Sequence, residues 1–254
     1  GGFGKGEVTI LGGRPAMGKT ALLCHFAKSA ALSGVPVQIY SLEMKDTELG
    51  IRMIVAGGGV NSYAIRTGNL SSLQWKNIDV TVGALEKLPF WVNDKATMTM
   101  DNIRINATLK HRKGECGIIF IDYLQLIKTP KGRNRNDEIG EISRQAKELA
   151  KELDVPVVLL SQLSRDVAKE ADKTPKLIHL RDSGEIEQNA DNVLLIHRPA
   201  YYNELSFELD GSMVDATGLG LLIVAKNRAG SPGVIPFSHN ESLTEITDYQ
   251  PIKF

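Results

Sequence analysis

A glycine-rich segment between a strand-like run and a helix-like run constrains this chain more than any other feature. Residues 13–20 read Gly-Arg-Pro-Ala-Met-Gly-Lys-Thr and satisfy the pattern G-x-x-x-x-G-K-[ST] in the context that this pattern requires. Glycines let the backbone wrap around phosphate oxygens, and the N-terminus of the following helix adds positive potential. The segment therefore predicts a nucleotide site, with Lys19 at the β- and γ-phosphates and Thr20 as a ligand of Mg²⁺. The predicted nucleotide contacts are Gly13, Arg14, Pro15, Ala16, Met17, Gly18, Lys19 and Thr20.

Strand-like and helix-like runs alternate along the chain. Apolar runs at 7–11, 35–41, 117–122 and 155–161 predict buried strands, and the segments between them carry apolar residues at helical spacing. Such alternation predicts an α/β fold with a mostly parallel central sheet and helices on both faces. The chain has 254 residues and neither an internal repeat nor a long linker-like tract. This favours a single domain that spans residues 1–254.

The composition excludes several classes of protein. Hydrophobic residues make up 42% and charged residues 24% of the chain, so a disordered chain is excluded. The apolar runs are far shorter than the roughly 20 residues of a membrane-spanning helix, which rules out insertion by such a helix. Lys plus Arg equal Asp plus Glu at 30 each, so attraction to nucleic acid must come from a local patch. The separated Cys24 and Cys116 favour a reducing compartment, such as the cytoplasm, over a disulfide framework.

Two acidic residues follow predicted strands. Asp122 ends the apolar run 118–121, which is the pattern of a Walker-B strand, so we expect it to be the second protein partner of Mg²⁺. Glu43 follows the run 35–41 and should lie at the same edge, because the carboxyl ends of parallel strands meet there. It could orient and partly deprotonate the attacking water, or it could be a surface residue that caps the next helix. Spacing alone leaves these two interpretations even.

Three further polar residues lie at the ends of predicted strands, with Gln162 directly after the run 155–161 and with Lys226 and Arg228 at the end of a further strand-like run at 220–226. Gln162 could hydrogen-bond the γ-phosphate and report its loss, although the sequence alone favours a solvated loop amide. Lys226 and Arg228 could supply positive charge to the nucleotide of a neighbouring subunit, with Arg the better fork for phosphate. Isolated cations at strand ends are usually surface charges, and that alternative stays open.

Two loops are candidates for contact with a nucleic-acid backbone. The first is rich in Gly, Pro and Asn and carries a positive cluster of Lys128, Lys131, Arg133 and Arg135. It could track phosphates, or it could be a solvated run of charges. Aromatic residues make up 6% of the chain and none interleaves with this cluster, which favours backbone contacts over base stacking. The second loop comprises Arg181, Asp182, Ser183 and Gly184, and its acidic residue argues against a purely electrostatic role.

The order of these motifs resembles the C-terminal motor domain of the bacterial and phage replicative helicases of the DnaB family, which has a RecA-like P-loop NTPase fold. The resemblance covers nearly the whole chain. It differs from the family pattern at Ala16, where Ser is usual, and at Asp182, where Glu is usual. The segments that carry the resemblance are 3–6, 13–20, 41–44, 121–126, 161–165, 181–188 and 226–228.

The resemblance implies a role for each candidate residue of the nucleotide site. Glu43 would be the catalytic carboxylate, Asp122 the Walker-B acid and Gln162 the γ-phosphate sensor. Lys226 and Arg228 would be the pair that each subunit offers to the nucleotide of its neighbour. The loop with Arg181, Asp182 and Gly184 would grip single-stranded DNA in the central channel of a ring, with the loop containing Lys131, Arg133 and Arg135 nearby.

The resemblance also implies an activity and a set of partners. We expect an ATP- and Mg²⁺-dependent DNA helicase motor that moves 5′ to 3′ on single-stranded DNA as a homo-hexamer, with a primase and a helicase loader as partners. From the resemblance we also expect the family's N-terminal helical domain and linker helix to lie outside residues 1–254. Two alternatives remain, namely a RecA-like recombinase or packaging ATPase, and a loader module that binds nucleotide as a switch without hydrolysis. Glu43 beside Lys19 and Asp122 argues against the last.

Overall fold

The computed structural model describes residues 2–129, 134–180, 183–240 and 244–250, without the side chains of Arg135 and Ser183. The strands are β1 Val8–Gly13, β2 Val37–Ser41, β3 Phe90–Asn93, β4 Ile118–Asp122, β5 Val157–Gln162, β6 Asn192–His197, β7 Ser206–Leu209, β8 Ser212–Asp215, β9 Leu219–Asn227, β10 Gly233–Asn240 and β11 Glu245–Asp248. The α-helices are α1 Lys19–Leu32, α2 Asp46–Gly58, α3 Ser62–Thr67, α4 Ser72–Leu85, α5 Met100–Arg112, α6 Arg135–Leu153 and α7 Ser183–Asn189. Short 3-10 helices span Leu124–Leu126, Arg165–Lys169, Leu177–His179 and Pro199–Tyr202. Every helix in these ranges is too short or too polar to cross a bilayer.

The main sheet has nine described strands in the order β11-β10-β9-β6-β1-β5-β4-β2-β3. The strands from β6 to β3 in this order are mutually parallel, whereas β9, β10 and β11 pair antiparallel at one end. Strands β7 and β8 form a separate hairpin. The predicted α/β class with a mostly parallel sheet is confirmed, and the three antiparallel strands extend it.

Helices cover both faces of this sheet, as the alternation of buried residues on β4 illustrates. Ile119 and Ile121 join a core cluster that includes residues of α5 and α6. Ile118 and Phe120 join a second cluster that includes residues of α1 and α2. Because successive side chains of a strand point to opposite faces, a strand buried on both faces is apolar at nearly every position. This accounts for the continuous apolar runs in the sequence.

Two predicted strands begin two residues later than their apolar runs. The run 35–41 pairs only from Val37, and the run 155–161 only from Val157. In both cases the preceding residue, Pro36 or Pro156, has no N–H to donate to a neighbouring strand. The carbonyl groups of both prolines still accept hydrogen bonds, from Gly117 N at 2.7 Å and from Ile119 N at 3.0 Å.

Candidate active site

The predicted phosphate-binding loop connects β1 to α1 at the carboxyl edge of the sheet. Gly18, the residue before α1, has φ 92°, and Ala16 has φ 63°. Both values lie in the left-handed region, which glycine adopts without strain and which costs an alanine of order 1 kcal/mol. A Cβ at Gly13 would lie 3.0 Å from Cγ of Lys19, so glycine leaves room there for the lysine to cross the end of β1. The loop therefore has the compact shape that the motif predicts.

The Lys19 side chain folds back over this loop. Its Nζ donates to the carbonyl oxygens of Gly13, at 2.8 Å, and of Arg14, at 3.2 Å. Burial lowers the pKa of Lys19, while the carboxylates of Asp122 and Glu43 act in the opposite direction. The amine thus lies among backbone carbonyls and acidic groups at the mouth of the loop, where a phosphate would compete for it.

Thr20 and Asp122 meet at the start of α1 and the end of β4. The Thr20 hydroxyl donates to Oδ2 of Asp122 at 3.0 Å, and Asp122 is 1% exposed. Burial raises the pKa of Asp122 to about 6, against the effect of the hydrogen bond from Thr20. Mg²⁺ is commonly held by one or two protein oxygens together with phosphate oxygens and waters. An adjacent hydroxyl and carboxylate fit that ion.

Glu43 lies beside this pair because two hydrogen bonds hold its loop, one between backbone groups and one from a side-chain hydroxyl. Leu42 N donates to the carbonyl oxygen of Asp122 at 2.7 Å, which ties the end of β2 to β4. The Ser41 hydroxyl donates to the carbonyl oxygen of Met44 at 2.6 Å and closes a tight turn around Glu43. The Glu43 side chain is exposed and lines the same crevice as Lys19 and Thr20. This position suits a group that contacts a nucleophilic water.

Gln162 ends β5 directly beside the phosphate-binding loop. Its Cα is in register with Gly13 of β1, and its backbone N–H donates to Oε1 of Gln125 at 3.3 Å. The Gln125 amide also donates to the Ser161 hydroxyl at 3.0 Å, so it bridges the segment after β4 to the end of β5. Gln125 lies in the segment 121–126 that carries the family resemblance, but the sequence did not predict this contact, because its partners are 36 and 37 positions away.

Lys19, Thr20, Glu43 and Gln162 face a crevice with a volume of about 740 Å³. Its far wall is formed by residues that directly follow β6 and by residues of the antiparallel strands β10 and β11: Arg198, Tyr201, Phe237, His239, Asn240 and Ile246. This volume falls in the range of small-molecule sites, and the phosphate-binding loop occupies one end of it. The apolar and aromatic side chains of the far wall leave room for the remainder of a nucleotide.

Arg198 links that far wall to the phosphate-binding loop and was not anticipated from the sequence. Its Nη1 donates to the carbonyl oxygen of Ala16 at 3.2 Å, and its Nε donates to Nε2 of His239 at 2.9 Å. Burial, and then the charge of Arg198, lower the pKa of His239 to about 4, so the imidazole is neutral and accepts this bond near pH 7. Arg198 thus holds the loop at Ala16, the residue with the left-handed backbone conformation.

Lys226 and Arg228 lie at the opposite edge of the sheet. Lys226 Nζ donates to the carbonyl oxygen of Ala190 at 2.8 Å, and Arg228 Nη1 donates to Oδ1 of Asp191 at 3.0 Å. Asp191 in turn accepts from the backbone N–H of Val8, the first residue of β1. Because β1 rises by about 3.3 Å per residue, its two ends are about 17 Å apart. The structure therefore does not bring this pair to the chain's own phosphate-binding loop.

Most of the predicted nucleic-acid contacts lie outside the described residues, namely Lys131, Arg133, Arg181 and Asp182. Arg135 is the first residue of α6. Gly184 lies in the first turn of α7 and is exposed. Arg135 and Gly184 thus lie in helices and not in the loops that the sequence predicted, while the DNA contacts of the whole group remain predictions.

Sequence comparison identifies relatives over the whole chain. A family model for the DnaB-like helicase C-terminal domain matches residues 1–248. Replicative DNA helicase DnaB of Buchnera aphidicola is 37% identical over 257 residues, which covers 100% of this chain and 54% of the relative. Replicative DNA helicase DnaC of Bacillus subtilis is 37% identical over 238 residues, covering 92% and 50%. The chain belongs to the DnaB-like helicase C-terminal domain family. It spans about half the length of the curated relatives that it matches.

Solved structures agree with this assignment. One of them, described as an ATPase domain, superposes with a TM-score of 0.90 and 31% identity, covering 98% of this chain and 87% of that one. A DnaB-like replicative helicase, described with its interactions with primase, superposes with a TM-score of 0.90 and 31% identity, covering 98% and 59%. The resemblance to the DnaB family and the RecA-like fold are both confirmed.

Proposed function

We propose that this chain is the ATP-hydrolysing motor of a cytoplasmic replicative DNA helicase, and that it works at interfaces between identical subunits. The observation that carries the proposal is the separation of the two charged groups: Lys19, Thr20 and Asp122 lie at one edge of the sheet, and Arg228 lies at the other. One chain then supplies the phosphate-binding half of a pocket and its neighbour supplies the positive charge. The names of the relatives, replicative DNA helicases, support the same activity.

The triphosphate of ATP would lie along residues 13–20. Its oxygens would accept from loop N–H groups and from Lys19 Nζ, which exchanges its present carbonyl partners for phosphate. Thr20 and Asp122 would hold Mg²⁺, which supplies charge neutralisation to the β- and γ-phosphates when it is bound. The crevice beyond the loop would take the nucleoside.

Hydrolysis needs a water in line with the bond between the γ-phosphorus and the ADP oxygen. Glu43 would orient this water and take its proton as oxygen attacks the γ-phosphorus, and the bond to ADP breaks with both of its electrons staying on ADP. Gln162, at the end of β5, would hydrogen-bond the γ-phosphate and lose that contact after hydrolysis. The phosphoryl group leaves as inorganic phosphate.

Arg228 of a neighbouring subunit, with Lys226 beside it, would stabilise the charge that develops on the transferred group. Arginines that act in this way raise kcat by a factor on the order of 10³–10⁵. A single chain should therefore bind ATP and hydrolyse it slowly. A closed ring of six copies would complete every pocket, because a head-to-tail interface closes on itself under cyclic symmetry.

Hydrolysis would be coupled to DNA through two segments. One contains Lys131, Arg133 and Arg135, the last of which begins α6, and the other contains Arg181, Asp182 and Gly184, the last of which lies in α7. We propose single-stranded DNA as the ligand, 5′ to 3′ as the direction, and a helicase loader as a partner. A primase is also proposed, since one structural neighbour is described with its interactions with primase.

The test is ATP turnover with and without single-stranded DNA, together with unwinding of a forked duplex that carries a 5′ tail. The proposal expects stimulation by DNA and ATP-dependent unwinding, with the Lys19→Ala chain inactive in both assays. Turnover in open filaments without strand separation would favour the recombinase alternative. Binding of ATP with no turnover in the presence of DNA would favour a nucleotide-switched loader.

A further inference from the structure

A buried carboxylate at the amino edge of the sheet binds the arginine that is proposed to act on the neighbouring subunit. Asp191, which directly precedes β6, is 3% exposed. Its Oδ2 accepts from the backbone N–H of Val8 at 2.8 Å and from Lys147 Nζ at 2.6 Å. Its Oδ1 accepts from Arg228 Nη1 at 3.0 Å. Oδ2 thus accepts from Val8 and Lys147, and Oδ1 accepts from Arg228.

The two cationic partners of Asp191 differ in exposure. The Lys147 side chain is 16% exposed and also donates to the carbonyl oxygen of Gly6 at 2.9 Å, whereas the Arg228 side chain is 62% exposed. Burial raises the pKa of Asp191, but the hydrogen bonds from Lys147 and Val8 outweigh it, and the pKa lies below its usual value. The Asp191 carboxylate is therefore charged, with Oδ2 bonded to Val8 and Lys147 and Oδ1 available to hold the Arg228 guanidinium group.

Asp191 also fixes the backbone of Arg228. Arg228 N donates to the carbonyl oxygen of Asp191 at 2.9 Å. The residues beside them, Asn192 and Asn227, form a pair between β6 and β9. The arginine is therefore held at its backbone and at its guanidinium group by one residue. A guanidinium group has five N–H donors in a planar fork, so a bond at Nη1 leaves donors for a phosphate.

We propose that Asp191 is a positioning residue for Arg228, which orients the exposed guanidinium group at the subunit edge so that it can enter the neighbour's triphosphate site. This inference rests on the proposed function. It assigns to Asp191 a role that neither ATP binding nor Mg²⁺ binding requires, since Asp191 lies about 17 Å from its own phosphate-binding loop along β1.

The test is the Asp191→Asn substitution in the assembled protein. Asparagine keeps the shape and an acceptor for Val8 N–H, and it removes the charge that orients Arg228. We expect kcat for ATP to fall about 10-fold with KM within about twofold, because the arginine acts on the transition state and small displacements of such groups are costly. In an Arg228→Ala background, Asp191→Asn should lower kcat no further, because the two residues act as one unit.

Asp154→Asn is the matched control. Asp154 precedes β5 at the same edge, and its exposed carboxylate pairs with Lys5 at 3.6 Å, so the same substitution there should leave kcat unchanged. Thermal unfolding checks that each variant folds. If Asp191→Asn does not fold, Asp191→Glu takes its place, since it keeps the charge and moves the carboxylate by one methylene. The same selective loss of kcat is expected.

The outcomes separate this inference from the proposed function. Unchanged kcat in both Asp191 variants, or a loss that adds to that of Arg228→Ala, would overturn the positioning role alone. Full turnover by the Arg228→Ala assembly, or a wild-type protein that does not assemble with ATP and DNA, would overturn the proposed function and the inference with it.

Discussion

The two edges of the central sheet are built in different ways. At the carboxyl edge, residues from the ends of β1, β2, β4 and β5 surround one crevice, and each belongs to a short local motif. At the amino edge, Asp191, Lys147 and Arg228 come from three separate elements and form a half-buried ion-pair network. Under the proposed function, the first edge would bind phosphate through its backbone shape, and the second would present an exposed cation. One chain would then hold two half-sites that face different neighbours.

Lys19→Ala tests the carboxyl edge and has the largest expected effect. The substitution removes the cation that the loop holds at 2.8 Å from Gly13 O, so ATP turnover should become undetectable and most nucleotide affinity should be lost. Turnover is measured by phosphate release and affinity by calorimetry. Turnover near the wild-type rate would remove the assignment of residues 13–20 as the phosphate site.

Arg228→Ala tests the amino edge and should separate binding from turnover. Nucleotide affinity of the single chain should change by less than about twofold, while kcat of the assembly should fall by about 10³. Titration of a fluorescent nucleotide and steady-state kinetics provide the two measurements. Equal losses in the single chain and in the assembly would mean that Arg228 acts on its own subunit.

Lys147→Met tests how much the ion pair with Asp191 at the amino edge contributes to the stability of the fold. Removal of one partner of a buried ion pair leaves the Asp191 carboxylate less compensated, and we expect a loss of about 3 kcal/mol in the free energy of unfolding. Urea denaturation measures this loss. Lys151→Met, on the exposed side of the same helix, is the control and should stay within about 0.5 kcal/mol of wild type.

Arg198→Ala tests how the carboxyl edge is supported, with the smallest expected effect. The Ala16 carbonyl oxygen and His239 would lose a donor, so nucleotide affinity should weaken by about fivefold and unfolding free energy should fall by about 1–2 kcal/mol. Arg198→Lys keeps the charge without the two-pronged contact and should recover only part of the affinity. Wild-type affinity in Arg198→Ala would show that the loop holds its shape alone.

The sequence predicted which residues lie together at the carboxyl edge because the information for that edge is local. The phosphate-binding loop, the strand ending in Asp122 and the strand preceding Glu43 each lie within a few consecutive residues, and parallel strands bring such ends to one edge. Strands β2 and β5 begin two residues later than predicted because the apolar pattern continues through Pro36 and Pro156, which cannot donate to a neighbouring strand.

The amino edge and the far wall of the crevice were not predictable in this way. Asp191 bonds to Val8, which is 183 positions away in the sequence, and to Lys147, which is 44 positions away. Arg198 bonds to His239, which is 41 positions away. No spacing rule links partners so far apart, since tertiary packing alone brings them together. Strand β10 was also missed because Val234 and Ile235 are exposed and Phe237 is its buried residue, so its pattern lacks the period of a half-buried strand.

ATP turnover per chain as a function of protein concentration, with assembly followed by light scattering, tests the central claim most directly. If each pocket needs two chains, turnover per chain should rise by about 10³ in step with the assembled fraction, while the affinity for ATP stays nearly constant. The same turnover per chain in the monomer and in the assembly would contradict the account.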